Sequence, residues 1–599
     1  MLTHDMDPRA EYRRRIERWD AAIARTDRVH LRLSNLRLAT FFAGAVVFWF
    51  VFVRNAVSAW WMAAPIVVFG ILAVRHARVL QLGERARRAR RFYERGLERI
   101  GDTWAHTGRD GLRFVDGHPF ARDLDLFGRG SLFELLNTAR TDVGEETLAD
   151  WLRVPAGAGL IVVRQRSVDE LRPMLDFRED VAVLAAESDV GRTGPLAAWT
   201  AAPPHRFPAV LGPMLAACAA ITIGLALAVY FTSVGAVWLA AWVGVEAGLA
   251  AIWRHPVHGI LYAIEAPEHD LALLAGLLER VERERFTSPG LAALHETLLT
   301  EGVPPSHRIA QLRTIVSWLD STHNLIFAPI AFALLVRPQL AVSINRWHRA
   351  YGPAVAAWLR AVGEVEALAA IGTYAYEHPA DPFPELLEAP CFDAVSLGHP
   401  LIAGATAVRN DVALSGPGGR SPQVLVVSGS NMSGKSTLLR AVGINVVLAL
   451  AGAPVRATRL RLSPLAIGAT LKIEDSLQEG HSRFYTEILR IRSIVDLTRD
   501  STPVLFLLDE ILHGTNSYDR RIGAEAIVSL LVARGAIGLV TTHDLALTEF
   551  TATLGAAGAN VHFEDRVENG AMVFDYTMRP GVVERSNALA LMRAVGLDV

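Results

Sequence analysis

The stretch "VLVVSGSNMSGKSTLLR", Val424 to Arg440, decides how this chain is read. Val424 to Val427 have the apolar, β-branched texture of a strand. Gly429, Ser430, Asn431, Met432, Ser433, Gly434, Lys435, Ser436 and Thr437 then trace a phosphate-cradling pattern, and helical spacing continues from Thr437 to Leu450. A strand that turns through glycines into a helix aims backbone N–H groups and the positive helix end at phosphates. Lys435 in this pattern reaches the β- and γ-phosphates and Ser436 ligates Mg²⁺, so ATP or GTP binding is expected. Lysine is rare here: Lys435 and Lys472 are the only two among 60 basic residues. A compact ammonium is not interchangeable with a planar guanidinium at a phosphate site, which makes Lys435 informative.

Two further patterns follow in the order that phosphoryl chemistry requires. "PVLFLLDEILHGT" is an apolar strand ending in Asp509 and Glu510; Asp509 is placed to hold Mg²⁺ through water and Glu510 to activate the attacking water. "GLVTTHDLALTEF" ends a strand at Thr542 and leaves His543 at its tip, where it reads as a γ-phosphate sensor. "LSGPGGR", Leu414 to Arg420, is similar in composition to a transporter-ATPase signature, but it precedes the phosphate loop and reads as a hairpin loop between two strands. From Cys391 onward, short β-rich runs give way to strands alternating with helices, the pattern of an α/β P-loop nucleotide-binding domain.

The rest of the chain is different. Mean hydropathy is +0.26, raised by a few concentrated segments. Leu38 to Val53 and Ala56 to Val74 are uncharged, separated by Arg54, and each approaches the roughly 20 residues of a spanning helix. Pro208 to Phe231 and Val234 to Ile252 form a second such pair, interrupted only by Glu246, which is expected to snorkel to the membrane interface. Arginines crowd both sides of the first pair, from Arg13 to Arg37 and from Arg75 to Arg91, which places both flanks in the cytoplasm. About 35 polar residues precede the first apolar run, unlike a signal peptide. A multi-pass protein of the cytoplasmic membrane is expected, with four transmembrane helices and its nucleotide domain in the cytoplasm. The competing reading is two buried helical hairpins of a large soluble domain. Net charge is −2, so no global field draws the protein to nucleic acid. The two cysteines, Cys218 and Cys391, suggest neither a disulfide framework nor a metal site.

These segments divide the chain of 599 residues into an Arg-rich helical segment (1–35), a first transmembrane hairpin (36–74), linking helices (75–130), the start of a helical core (131–207), a second transmembrane hairpin (208–252), lever and core helices (253–390) and the nucleotide domain (391–599). Ala266 to Thr300 and Ile309 to Tyr376 read as long amphipathic helices, the latter broken at Pro338. Leu325 to Val336, apolar but about 12 residues long, reads as a buried core helix.

The motifs together resemble the ATPase domain of the MutS family of DNA mismatch-repair proteins. The resemblance rests on Gly429 to Thr437; on "APVRA" at Ala453; on "DSLQEGHSRF", Asp475 to Phe484, with Glu487; on Asp509 and Glu510 followed by "GTNSYD", Gly514 to Asp519; on Thr541 to His543; and on "ANVH" at Ala559. Weaker likeness upstream, from Asn137 to Leu171 and around "EVEALAAI" and "AVRND", extends it to about half the chain. It implies a Mg²⁺-dependent ATPase working as a head-to-tail homodimer, in which Ser482 approaches the nucleotide held by the partner subunit, Asn431 supports the loop and Asp519 lies at the dimer seam. It also implies DNA as a partner. Nothing ahead of the helical core resembles the family's mismatch-reading domain, so contacts to the phosphate backbone rather than to bases are expected. Ala407 and Val408 stand where the family commonly carries an aromatic residue against adenine. The alternative is a membrane-tethered, ABC-like mechanochemical ATPase acting on a protein or a lipid.

Overall fold

A computed structural model describes residues 7–186, 194–265, 268–298, 303–324, 327–472, 483–513, 515–568 and 571–583. The chain forms two compact units. One is built from Met1–Gly101, Leu175–Arg283 and Glu301–Trp358, the other from Asp102–Met174, Glu284–Thr300 and Leu359–Val599.

The second unit carries all ten described strands. In chain order they are β1 (Glu385–Leu386), β2 (Cys391–Leu397), β3 (Asn410–Ser415), β4 (Val424–Ser428), β5 (Arg459–Leu462), β6 (Ala466–Thr470), β7 (Val504–Leu508), β8 (Ile537–Thr542), β9 (Gly558–Glu568) and β10 (Ala571–Pro580). Six make a sheet in the order β10-β9-β4-β8-β7-β6, parallel from β9 to β6 with β10 antiparallel at one edge. β4, β7 and β8 are buried at every position, as expected of parallel strands covered on both faces. That is why they read as unbroken apolar runs. The helix Lys435–Ala451 returns from β4 between the sheet and the helices Asp142–Arg153 and Ala158–Leu171. On the other face Ile491, Val528 and Leu531 join Phe506, Leu508 and Val540 in one core.

The remaining strands form a four-stranded sheet, β1-β5-β2-β3. "LSGPGGR" therefore does not close a hairpin. β3 pairs with β2 and β4 with β8 and β9, so the loop carries the chain from one sheet to the other. Its small residues supply the turn, but pairing across a sheet is a tertiary choice that they do not encode.

Helices of this unit at Leu132–Leu136, Asp142–Arg153 and Ala158–Leu171 fall within the expected start of the helical core. Thr141 caps the second, accepting from Gly144 N at 3.0 Å. Behind that cap lies a fully buried carboxylate, Glu366, whose Oε1 accepts from Arg140 N at 3.0 Å and whose Oε2 accepts from Thr141 Oγ1.

The first unit is all helical. Pro8–Phe48 runs through a π-turn at Trp49–Val53 and returns as Ala63–Ile100. The arginine-rich flanks continue the same two helices as the apolar segments. At their base Arg87 pairs with Asp27 at 2.8 Å and Arg90 with Asp20 at 2.7 Å, while at the tip Phe41, Phe52, Trp60 and Ile66 are exposed. Both helices are long and apolar enough to cross a membrane, as is Leu211–Phe231. Ala236–Ile252 has 17 residues and reaches that length only together with Arg254–Ile264, from which it is bent by 70°.

Glu246 does not snorkel. It is 1% exposed and faces Leu211–Phe231, where Oε1 accepts from Thr222 Oγ1 at 2.7 Å and from Trp242 Nε1 at 3.1 Å. A nearby hydroxyl and indole offered it partners inside the pair. The described part of the run, 327–336, is not a buried helix either. Its helix, Ala328–Ala333, exposes Ile330 and Phe332 and buries only Ala331. Nor does Pro338 break a helix: the break is at Leu335, with φ of 51°, and Pro338 sits in the first turn of Val336–Glu377, where a missing N–H costs nothing.

Candidate functional site

The loop from Gly429 to Gly434 leaves the end of β4, and the helix begins at Lys435. The two glycines are there for backbone reasons. Gly429 has φ of +149° and Gly434 φ of +107°, and a Cβ on Gly434 would stand 3.2 Å from the ring of Tyr576. Lys435 is 5% exposed; its Nζ donates to the carbonyls of Gly429 at 2.9 Å and Ser430 at 2.7 Å. Burial pushes its ammonium below the ordinary lysine range, against the opposing pull of Glu510, Asp509 and Asp565. Ser433 is buried, and its Oγ and that of Ser430 have no hydrogen-bond partner among the described residues.

β8 ends beside this loop because it pairs with β4 in parallel register, and β7 follows on the far side of β8, with Val427 opposite Thr541 and Leu508 opposite Val540. Thr541 links the two edges: its Oγ1 donates to Asp509 Oδ1 at 2.5 Å and accepts from Glu510 N at 2.9 Å. Glu510 takes φ of 49°, and its side chain is half-buried. His543 Nδ1 lies 3.6 Å from Glu510 Oε1. Asp509, Glu510 and His543 thus converge from two strand tips, as open α/β sheets place ligand-handling groups.

A cavity of about 640 Å³ opens over the loop. Asn431, Met432, Gly434, Lys435, Ser436 and Thr437 form one wall and Glu510 another. Its size suits a nucleotide. Ser436 and Asp509 offer the hard oxygen donors that Mg²⁺ requires. Asp519 stands apart, in the first turn of Ser517–Ala533, where it exchanges hydrogen bonds with Asn516 at 2.7 and 2.8 Å. Ser482 and Gly514 lie outside the described residues.

Tyr576, Asn410 and His399 line this cavity without having been singled out as site residues by the sequence. Tyr576 comes from an irregular stretch of β10, between the register positions Phe574 and Met578, and lines the cavity beside Gly434. Asn410, the asparagine of "AVRND", holds that stretch: Nδ2 donates to Tyr576 O at 3.0 Å and Oδ1 accepts from Met578 N at 2.7 Å. His399 lines the same wall. Burial and the neighbouring Arg440 push it down to about 4. Leu401 N donates to its Nδ1 at 3.2 Å, so the neutral ring presents Nε2–H as a donor. Ala407 and Val408 also line the cavity, and Tyr576 supplies an aromatic ring that they lack. Only the asparagine had a local signal; Tyr576 reaches the loop through sheet pairing that no motif encodes.

Comparison with known proteins agrees with this architecture. The family model for MutS domain V matches residues 425–598. The endonuclease MutS2 of Thermus thermophilus is 35% identical over 207 residues, covering 33% of this chain and 25% of that protein. The DNA mismatch repair protein MutS of Geobacillus thermodenitrificans is 29% identical over 299 residues, covering 48% of this chain and 31% of that protein. The matches thus span a quarter to a third of these relatives. The likeness to the MutS family thus lies in residues 425–598, which match its domain V.

Proposed function

We propose that this protein is a membrane-anchored, Mg²⁺-dependent ATPase whose cycle is coupled to DNA. The observation that carries the catalytic reading is that Lys435 and Glu510 line one cavity, with His543 Nδ1 3.6 Å from Glu510 Oε1 at its edge. ATP enters with its phosphates on the loop N–H groups and its base toward Tyr576 and His399. Ser436 and Asp509 would hold Mg²⁺, which when bound would draw charge from the phosphates. Glu510 accepts a proton from the attacking water, the bond to the leaving ADP oxygen breaks, and Lys435 and His543 stabilise the charge on the transferred phosphoryl group.

The motif resemblance implies a head-to-tail dimer with Ser482 at the partner's nucleotide and Asp519 near the seam, and the mismatch-repair relative supports DNA as what the cycle acts on. The apolar hairpin Pro8–Ile100 and the pair Leu211–Ile252 support anchoring in the cytoplasmic membrane with the ATPase on its inner side. Glu246, buried within that second pair, favours a second reading: an ATPase that moves a protein or lipid partner through the membrane helices.

One experiment separates the two. ATP turnover of the detergent-solubilised full chain is measured without DNA and with matched, mismatched and branched duplexes at low salt. Stimulation by any duplex, weakening as salt rises, supports the DNA reading. Turnover indifferent to every DNA but altered by Glu246→Gln in lipid supports the second.

A further inference from the structure

His513 is absorbed by none of the roles above, yet it completes a cluster at the hydrolytic edge. Its Nδ1 lies 3.8 Å from Glu510 Oε2, opposite the oxygen that His543 Nδ1 approaches at 3.6 Å. The two imidazole rings are 5.3 Å apart and inclined at 70°. One donor atom from each of the three side chains lies within 4.8 Å of the others.

We propose that Glu510, His513 and His543 form a binding site for a borderline divalent cation of the Zn²⁺ class, distinct from the Mg²⁺ position at Ser436 and Asp509. Zn²⁺ takes nitrogen and oxygen ligands at about 2.0–2.1 Å, which sets neighbouring ligand atoms of a tetrahedral site about 3.4 Å apart. The observed separations of 3.6 and 3.8 Å come within that reach by small side-chain rotations. The backbone needs no rearrangement: Glu510 and His543 are fixed by paired strands and by the Glu510 N to Thr541 Oγ1 hydrogen bond of 2.9 Å. Two imidazoles and one carboxylate select Zn²⁺, Co²⁺ or Ni²⁺ over Mg²⁺, which prefers oxygen ligands. The two histidines are exposed and Glu510 is half-buried, so an ion enters freely, and three protein ligands leave a fourth position open to water or a phosphate oxygen.

A cation there engages the carboxylate that accepts the water proton. Occupancy would stop hydrolysis while leaving Lys435 and the loop free to hold ATP, locking the protein in its nucleotide-bound state. This consequence rests on the proposed role of Glu510; metal binding itself does not.

Two measurements on the full chain in detergent test it. Calorimetric titration with Zn²⁺ alone, without nucleotide, is expected to show one site per chain of micromolar affinity. The affinity should weaken by at least about tenfold in His513→Ala and stay unchanged in His323→Ala, an exposed histidine elsewhere. Co²⁺ should give a visible d–d spectrum lost in the same variant. No Zn²⁺ binding, or binding indifferent to His513→Ala, overturns the site. In the second measurement, Zn²⁺ at saturating Mg²⁺-ATP should suppress turnover of the wild type and spare His513→Ala, with retention of a fluorescent ATP analogue unaffected. Full turnover with the site demonstrably occupied overturns the inhibitory role. A chain that never hydrolyses ATP overturns the proposed function, while the calorimetric titration still decides whether the metal site exists.

Discussion

At the scale of single residues, the proposed roles separate binding from turnover. Lys435 is buried on the loop, whereas Glu510 and His543 meet at the strand tips. Lys435→Ala should abolish ATP binding in a fluorescent-nucleotide assay. Glu510→Gln keeps the shape of the side chain but removes the base, so it should retain ATP and lose turnover by about a hundredfold or more; undiminished turnover would overturn the role assigned to Glu510. Glu366 makes a different kind of prediction. Burial pushes its carboxyl up to about 7 from 4.5. The folded state then holds a proton that the unfolded state releases, so the stability this group contributes is complete below about pH 4.5 and is lost as pH rises through about 7. The shift corresponds to about 3 kcal/mol. Glu366→Gln imitates the protonated form and should flatten that dependence. Amide-exchange protection of the helix Asp142–Arg153, compared between wild type and variant from pH 5 to 8, reads it; parallel curves would mean that Glu366 does not titrate there.

At the scale of elements, the strand triplet β4, β8 and β7 is the frame on which the chemistry depends. Gly538 sits at its centre, opposite Val424 on one side and Phe506 on the other. A Cβ there would lie 2.2 Å from Phe506 O and 2.5 Å from its ring. Gly538→Ala should therefore destabilise the domain by about 3 kcal/mol or more, seen as a lowered melting temperature together with lost nucleotide binding. An unchanged melt would mean that the sheet accommodates the methyl group. These strands were legible because a parallel strand covered on both faces is apolar at every position, and because the glycine loop marks where the first one stops. The pairing of β3 was not legible: a turn rich in Gly and Pro looks alike whether its strands pair with each other or belong to separate sheets. Pro338 misled for a related reason, since a proline marks a helix start and a helix stop equally well until the preceding backbone is known.

At the scale of the whole molecule, the long apolar helices and the segment that matches MutS domain V belong to one polypeptide, and membrane anchoring is the property to test first. The full chain should remain with membranes after extraction at alkaline pH. Cysteines placed at Asn55 and Ser233, in the hairpin tips, should react with an impermeant maleimide added outside intact cells; Arg420→Cys, in the exposed loop before β4, should react only after permeabilisation. Release by alkaline extraction, or labelling of position 420 from outside, would overturn the assigned topology.

Local pattern carried the nucleotide loop, the Asp509 and Glu510 pair, His543 and the apolar segments, because each depends on residues close together in the chain. Tertiary structure alone placed Tyr576 beside Gly434, Glu366 behind the cap of Asp142–Arg153, Glu246 against Thr222, and His513 with His543 around one carboxylate. Periodicity and glycine placement are local consequences of backbone geometry. Which side chains face one another is settled by strand order and helix pairing, which join residues far apart in the chain.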